Sequence, residues 1–299
     1  MLPEQILSQT ARVLTRSQRE YYLEHGYLFI ESFIGEQWLD ALRAETYRHL
    51  EASRELSASN DLYDLAPVHT KEVPCIRRFH HPEREKIFWD FANDVIADVA
   101  ADLLGPDVLF HHGKINFKWP GAGETNAVAW HQDAAFYPLT NYKSVAIGCY
   151  LEDTTPDHGP LQVVKGSQDG EIFTHYDENG EWAGRINPQD EAGLDPDAIV
   201  SMPGPAGSIT VHNVRSLHGS LPSQAANMRP LLVNAYTAAD AFPYAVHNSG
   251  YWRHYRDVVR GSASGWAVHD PRPCPIPPDW SAGYPSLFDQ QHGEDEEAA

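Results

Sequence analysis

His131 and Asp133, two positions apart in the run Trp130-His131-Gln132-Asp133, open the question of metal chemistry in this chain of 299 residues. On an extended strand residues i and i+2 point to the same face, so this spacing would send an imidazole and a carboxylate into one cavity. His218, in Leu217-His218-Gly219-Ser220, could supply a third donor. Two histidines and one carboxylate on one side of a metal leave the remaining positions open, the arrangement with which non-haem Fe(II) sites take up dioxygen and a second ligand.

The tripeptide alone carries little weight. With sixteen histidines in the chain, about one His-x-Asp is expected from average composition, and His175-Tyr176-Asp177 is a second one. That copy lies in a turn-rich stretch beside Asn179-Gly180, where neither strand geometry nor burial is expected, so the first copy is preferred. His212 also precedes His218 on a regular apolar run, but the residue eleven positions after it is Ser223 and not an arginine; a structural or supporting role is assigned to it. The adjacent pairs His80-His81 and His111-His112 should face opposite ways in strands, so neither is read as a two-point chelate.

Context favours His131 and Asp133. In Lys114-Ile115-Asn116-Phe117-Lys118 the polar residues alternate with apolar ones, which puts Lys114, Asn116 and Lys118 on one face of a strand. Such a face either looks into a barrel, where it needs an anionic partner, or looks at solvent; the pattern leaves both open. Arg229 follows His218 by eleven residues, and a hairpin between them would return it to the metal, where a guanidinium can grip a carboxylate bidentately. Ser220, two on from His218, adds a hydroxyl on the same side. Trp130, Phe136, Tyr137 and Tyr150 are candidates to line a substrate pocket, with a plain core role the equal alternative for Trp130 and Tyr150. Tyr251-Trp252-Arg253 could close the site from the C-terminal side, and Lys114 could meet an anionic group of the substrate.

These residues need elements to position them. Thr15 to Gln18 fits a capping box, and the short helix it opens ends at Gly26, before a strand at 27–30. Leu39, Leu42, Tyr47 and Leu50 recur at near-helical spacing, which predicts an amphipathic helix over 37–53 covering a sheet. Residues 54–74 read as a long loop, 76–79 as a strand, and 84–104 as one helix or two, closed by Gly105-Pro106. After Pro106 come short β-like runs at 108–118, 127–133, 145–151, 161–164, 208–211 and 231–236, the pattern of an antiparallel barrel or sandwich. The stretch 166–205 reads as a lid-like insert. The predicted class is mainly β with flanking α-helices, in one domain over 1–299: a mostly helical part at 1–106, a β-barrel core at 107–245, a C-terminal extension at 246–292 and an acidic disordered tail at 293–299.

Bulk properties exclude some functions. The formal charge of −20 sets the surface against nucleic-acid phosphates and anionic lipid, so neither nucleic acid nor membrane is an expected partner. No run of about 18 apolar residues occurs, and the first twenty residues lack a basic region followed by an apolar stretch, which points to the cytoplasm. The three cysteines form no C-x-x-C, so neither a disulfide framework nor a zinc knuckle is indicated.

Taken together, Ile115-Asn116-x-Lys118, Trp130-His-Gln-Asp133, Asp157-His-Gly-Pro-Leu161 with Gly166-Ser167, the run Gly204 to Ser208, and His218-Gly-Ser220 with Arg229 resemble the phytanoyl-CoA dioxygenase family of Fe(II)/2-oxoglutarate-dependent oxygenases. The likeness covers about residues 15–245; some stretches are similar to ectoine and free-proline hydroxylases and others to the phytanoyl-CoA enzyme. It implies a double-stranded β-helix (jelly-roll, cupin-like) core. It also implies iron on His131, Asp133 and His218, the distal carboxylate of 2-oxoglutarate on Arg229 and Ser220, and help from Asn116 and Lys118. Halogenating relatives carry a small residue at the aspartate, so Asp133 favours hydroxylation. The expectation is a dioxygenase that hydroxylates an unactivated C–H bond of a small soluble metabolite, with O2 consumed and succinate and CO2 released, acting as a monomer or homodimer. Desaturation, epoxidation or acyl-CoA hydroxylation on the same centre is the alternative, and a non-redox cupin-like binding protein or zinc hydrolase is the rival from another class.

Overall fold

The computed structural model describes residues 1–245, 253–280 and 286–292. Along them run helices α1 (Pro3–Ser8), α2 (Arg16–His25), α3 (Glu36–Ala52), α4 (Lys86–Ala92), α5 (Val95–Leu104), α6 (Asp133–Phe136), α7 (Pro188–Ala192) and α8 (Leu287–His292). The strands are β1 (Tyr27–Ile30), β2 (Tyr63–Leu65), β3 (Ile76–His80), β4 (Val108–Lys118), β5 (Val128–His131), β6 (Ser144–Tyr150), β7 (Gln162–Val164), β8 (Ile199–Ser201), β9 (Ile209–Asn213), β10 (His218–Ser220), β11 (Arg229–Ala238) and β12 (Val258–Arg260).

Two antiparallel sheets result. The larger follows the order β1-β9-β6-β11-β4-β3-β2 with β12 on the other end of β4, and the smaller follows β5-β10-β7-β8. This is the jelly-roll arrangement, and the period-2 pattern of the large sheet explains where its core lies. Ile115, Phe117, Val145, Ile147, Cys149, Ile209, Val211 and Leu232 project to one side and pack against Leu39, Leu42, Phe88, Phe91, Ile96 and Val99 of the helices. The alternate residues Lys114, Asn116, Lys118, Ala146, Gly148, Thr210 and His212 face the other way, into a cavity shared with the small sheet. The polar face of β4 therefore looks inward, which resolves the choice its pattern left open.

Several local readings meet their reasons here. The capping box forms, with Gln18 N donating to Thr15 Oγ1 at 3.2 Å and Thr15 N to Gln18 Oε1 at 2.8 Å, and α2 ends at Gly26 with φ +75°. On α3 the buried stripe is Leu39, Leu42, Thr46, His49 and Leu50, and Tyr47 is exposed. At 100° per residue Tyr47 stands roughly 80° round from Leu39, whereas Thr46 falls within about 20° of it. The 54–74 stretch holds β2, a three-residue strand that closes the edge of the large sheet on β3. The first 106 residues thus add three strands as well as helices.

The 166–205 insert is built, not structureless. It contains α7 and β8, which pairs with β7, and it buries Ile186 against Val164 and Leu217. Adjacent His111 and His112 share a face instead of opposing one another. The β4–β11 register steps from His112↔Ala235 to Phe110↔Tyr236, so His111 is an extra bulged residue, and the two Nδ1 atoms lie 2.7 Å apart. Among the described residues no helix is long and apolar enough to cross a membrane.

Candidate active site

His131 ends β5 and His218 begins β10, and these two residues are paired across the antiparallel ladder. Cross-strand partners stand close enough for direct side-chain contact, and the ring centroids lie 4.1 Å apart. Gly219 permits the approach, because a Cβ there would come within 2.8 Å of Val128 O. Asp133 is not on the strand: the chain turns after His131 and Asp133 opens α6. The carboxylate still converges, and one ligand atom from each of His131, Asp133 and His218 lies within 4.8 Å of the others, all three residues being buried.

Hydrogen bonds fix which atoms face the centre. His131 Nδ1 lies 2.8 Å from Ala129 O and His218 Nδ1 lies 2.9 Å from Ser216 O. A ring nitrogen beside a carbonyl must carry the proton, so each Nε2 presents its lone pair to the shared space. Burial, helped by neighbouring histidines, holds the His218 imidazolium well below its ordinary value, and burial pulls His131 down to about 3. Burial works against a charged Asp133, yet the His212 contact and the Lys114 charge outweigh it and keep the carboxyl well below the usual range. Two neutral imidazoles and an ionised carboxylate are the protonation states a divalent metal requires.

The cavity encloses about 630 Å³ of atom-free space, counting its open mouth. At one end Arg229 is 2% exposed. Its Nη2 donates to Gly159 O at 3.0 Å, while Nε and Nη1 are buried without a partner. A buried guanidinium with two free donors fits a carboxylate presented in its plane. Gly159 makes this geometry possible, since it holds φ +60° and a Cβ would meet Leu221 O at 2.2 Å. Ser220, Asn116 and Lys118 line the same cavity. Lys118, however, spends its ammonium on two backbone carbonyls, Asn126 O at 2.6 Å and Leu221 O. It therefore braces the loops around Arg229, and direct cosubstrate binding through Lys118 is not what the geometry favours. Asn116 Oδ1 accepts from Arg78 Nε at 2.8 Å.

His212 lies inside the site, its ring 4.1 Å from that of His218 and its Nε2 3.6 Å from Asp133 Oδ2. It supports the centre and is absent from the converging set. The remaining candidates divide. Phe136 packs edge-on to His131 at 5.6 Å, and Tyr137 lies 4.6 Å from His111 beneath the bulge. Trp130 points the opposite way from His131, into the cluster formed by Leu217, Ile186 and the insert, and so is removed from the pocket. Arg253 is exposed and is not on the lining of the cavity among the described residues, and Trp252 lies outside them.

Two features were not read from the sequence. Gln132 is fully buried and binds the insert, its Nε2 donating to Arg215 O at 2.7 Å and Glu171 O at 3.0 Å and its Oε1 accepting from Phe173 N at 2.8 Å. The backbone N of Gln132 donates to His175 Nε2 at 3.0 Å, so the second His-x-Asp supplies a buried strut. Leu287 and Phe288 of α8 also line the cavity, and Arg77 stacks on Phe288 at 4.5 Å. Elsewhere Glu45, His49 and Glu85 also converge, but Arg48 Nη2 already sits among them, 3.3 Å from Glu85 Oε1.

The phytanoyl-CoA dioxygenase family model matches residues 22–231. The chain belongs to that family. It is an iron- and 2-oxoglutarate-dependent dioxygenase by class. A probable alpha-ketoglutarate-dependent hypophosphite dioxygenase from Stutzerimonas stutzeri is 31% identical over 273 residues, covering 89% of this chain and 91% of that one. A methylphosphonate hydroxylase from Gimesia maris is 28% identical over 56% of this chain and 62% of its own length. Among solved structures, EctD from S. alaskensis with bound Fe has a TM-score of 0.63 at 20% identity, covering 87% of this chain and 89% of that one, and shares the fold.

Proposed function

We propose that the chain hydroxylates a small soluble metabolite, with Fe(II) held by His131, Asp133 and His218 and with the distal carboxylate of 2-oxoglutarate held by Arg229 and Ser220. The observation that carries this reading is the pairing of a converged two-histidine, one-carboxylate set with a buried arginine whose Nε and Nη1 have no partner. A zinc hydrolase or a non-redox binding module has no need of that second feature. Bound iron, 2-oxoglutarate and dioxygen together supply the oxidising equivalent, and succinate and CO2 leave as coproducts.

The protein's own residues do the rest. The carbonyls of Ala129 and Ser216 lock both imidazoles in the tautomer that leaves Nε2 free. Phe136 beside His131, with Leu287 and Phe288 on the cavity lining, gives the reacting position an apolar boundary. Two relatives are named for hypophosphite and methylphosphonate, both small oxyanions, which supports a substrate of that size. The test is release of succinate from 2-oxoglutarate in air: it should require added iron and disappear in His131→Ala and Asp133→Ala. Either variant turning over like the parent would remove the assignment.

A further inference from the structure

We propose that the substrate carries a compact oxyanion, a phosphonate or a carboxylate, held between Lys114 and Arg78 on the side of the three converging residues away from Arg229. The proposal rests on the oxygenase reading above and narrows it to a class of substrate.

The strand register separates this place from the cosubstrate end. Arg229 of β11 pairs with Lys118 of β4, whereas Lys114 pairs with Val233, and Arg78 of β3 pairs with Asn116 midway between the two lysines. Four residues of strand set the two lysines about 13 Å apart along β4, further than a five-carbon diacid bound at Arg229 extends. The charges that act on Lys114 are those of Asp133 and Arg78. Its ammonium makes no hydrogen bond or ion pair among the described residues, although it faces the cavity. Arg78 is 3% exposed; its Nε donates to Asn116 Oδ1 and its Nη2 is buried without a partner.

Two cations thus look into one cavity with free donors. Among the described residues, the single carboxylate on its lining is Asp133, which the metal would claim. Asp64, near Arg78, is occupied by His80 at 3.0 Å. A buried guanidinium nitrogen without a partner is costly, and an anion bridging Arg78 Nη2 and the half-buried Lys114 ammonium would complete both. The chain as a whole is strongly acidic, so the arrangement is local and not a sample of a basic surface. Arg78 lies over the Phe288 ring at 5.1 Å, and Phe288 lines the same cavity. An oxyanion head held there would leave the rest of the molecule extending toward Asp133.

Calorimetric titration of ethylphosphonate and of butyrate into the iron- and 2-oxoglutarate-loaded protein under argon tests this, with diethyl ethylphosphonate and butyramide as neutral counterparts. At least one anion should bind and its neutral counterpart should not, and comparing the two anions tells which head group the site takes. Lys114→Met should weaken the anion about ten- to hundredfold, Lys114→Arg should restore most of it, and the affinity for 2-oxoglutarate should stay as in the parent. Equal binding of neutral and charged probes, no binding of either anion at millimolar concentration, or a Lys114→Met protein that loses 2-oxoglutarate and keeps the anion would overturn the proposal. A failed oxygenase reading looks different: the visible absorption of the iron–2-oxoglutarate complex would be missing while anion binding at Lys114 persisted.

Discussion

The two His-x-Asp tripeptides begin alike and end differently. Each histidine is buried, and each donates Nδ1–H to the carbonyl two residues before it, His131 to Ala129 at 2.8 Å and His175 to Phe173 at 3.0 Å. Each therefore offers a free Nε2. The one in His131 meets His218 across the ladder, and the one in His175 accepts from Gln132 N. The aspartates part company altogether. Asp133 turns inward on the first turn of a helix, while Asp177 accepts from Asn179 N at 2.9 Å and Glu181 N at 2.8 Å in a surface turn. Spacing sets the histidine; the element that follows decides whether the carboxylate joins it.

The contrast can be broken by mutation, and the largest effect should come from the first copy. Asp133→Ala should lower Fe(II) affinity at least a hundredfold in anaerobic titration, because it removes the one anionic ligand. Arg229→Leu comes next. Removing one partner of a buried charge pair costs about 2–5 kcal/mol, so 2-oxoglutarate affinity should fall at least thirtyfold with Fe(II) affinity unchanged; unaltered 2-oxoglutarate binding would detach Arg229 from the site. His175→Phe should lower Fe(II) affinity or turnover about ten- to hundredfold, the range for residues that orient a metal ligand. Asp177→Ala should change iron binding not at all and stability by no more than about 0.5 kcal/mol. A loss of iron in Asp177→Ala would undo the distinction between the copies.

Acid sharpens the comparison further. Burial pulls His175 from 6.5 to about 4 and His131 from 6.5 to about 3. Between the unfolded value and those folded values the unfolded chain binds protons that the native chain refuses, so stability falls as pH drops. Each group contributes up to about 1.4 kcal/mol per pH unit. The metal-free protein should thus lose stability from about pH 6.5 downward, and His175→Phe should make that slope shallower in chemical denaturation series.

Much of this was legible in the sequence, for identifiable reasons. Period-2 alternation gives a strand two faces, and β4, β6, β9 and β11 follow it closely enough that Lys114, Asn116 and Lys118 were placed on one face correctly. The capping box at Thr15 and the glycine at 26 are local chemistry and appear where expected. The convergence of His131, Asp133 and His218 is legible in the sequence, but strand spacing is not its cause, since α6 begins at Asp133. Long-range features left no local mark. The bulge at His111 depends on the register with Tyr236, the burial of His175 depends on Gln132, and the cavity wall at Phe288 comes from a helix more than 150 residues beyond Asp133 in sequence.

The central claim is that three side chains from β5, α6 and β10 hold one iron beside a 2-oxoglutarate seated on Arg229. Anaerobic titration of Fe(II) into the protein with 2-oxoglutarate, followed by visible charge-transfer absorption, addresses it directly. One equivalent of iron should develop the band in the parent protein, and His218→Ala should abolish it. A band of full strength in His218→Ala, or none in the parent at saturating iron and 2-oxoglutarate, would contradict the account.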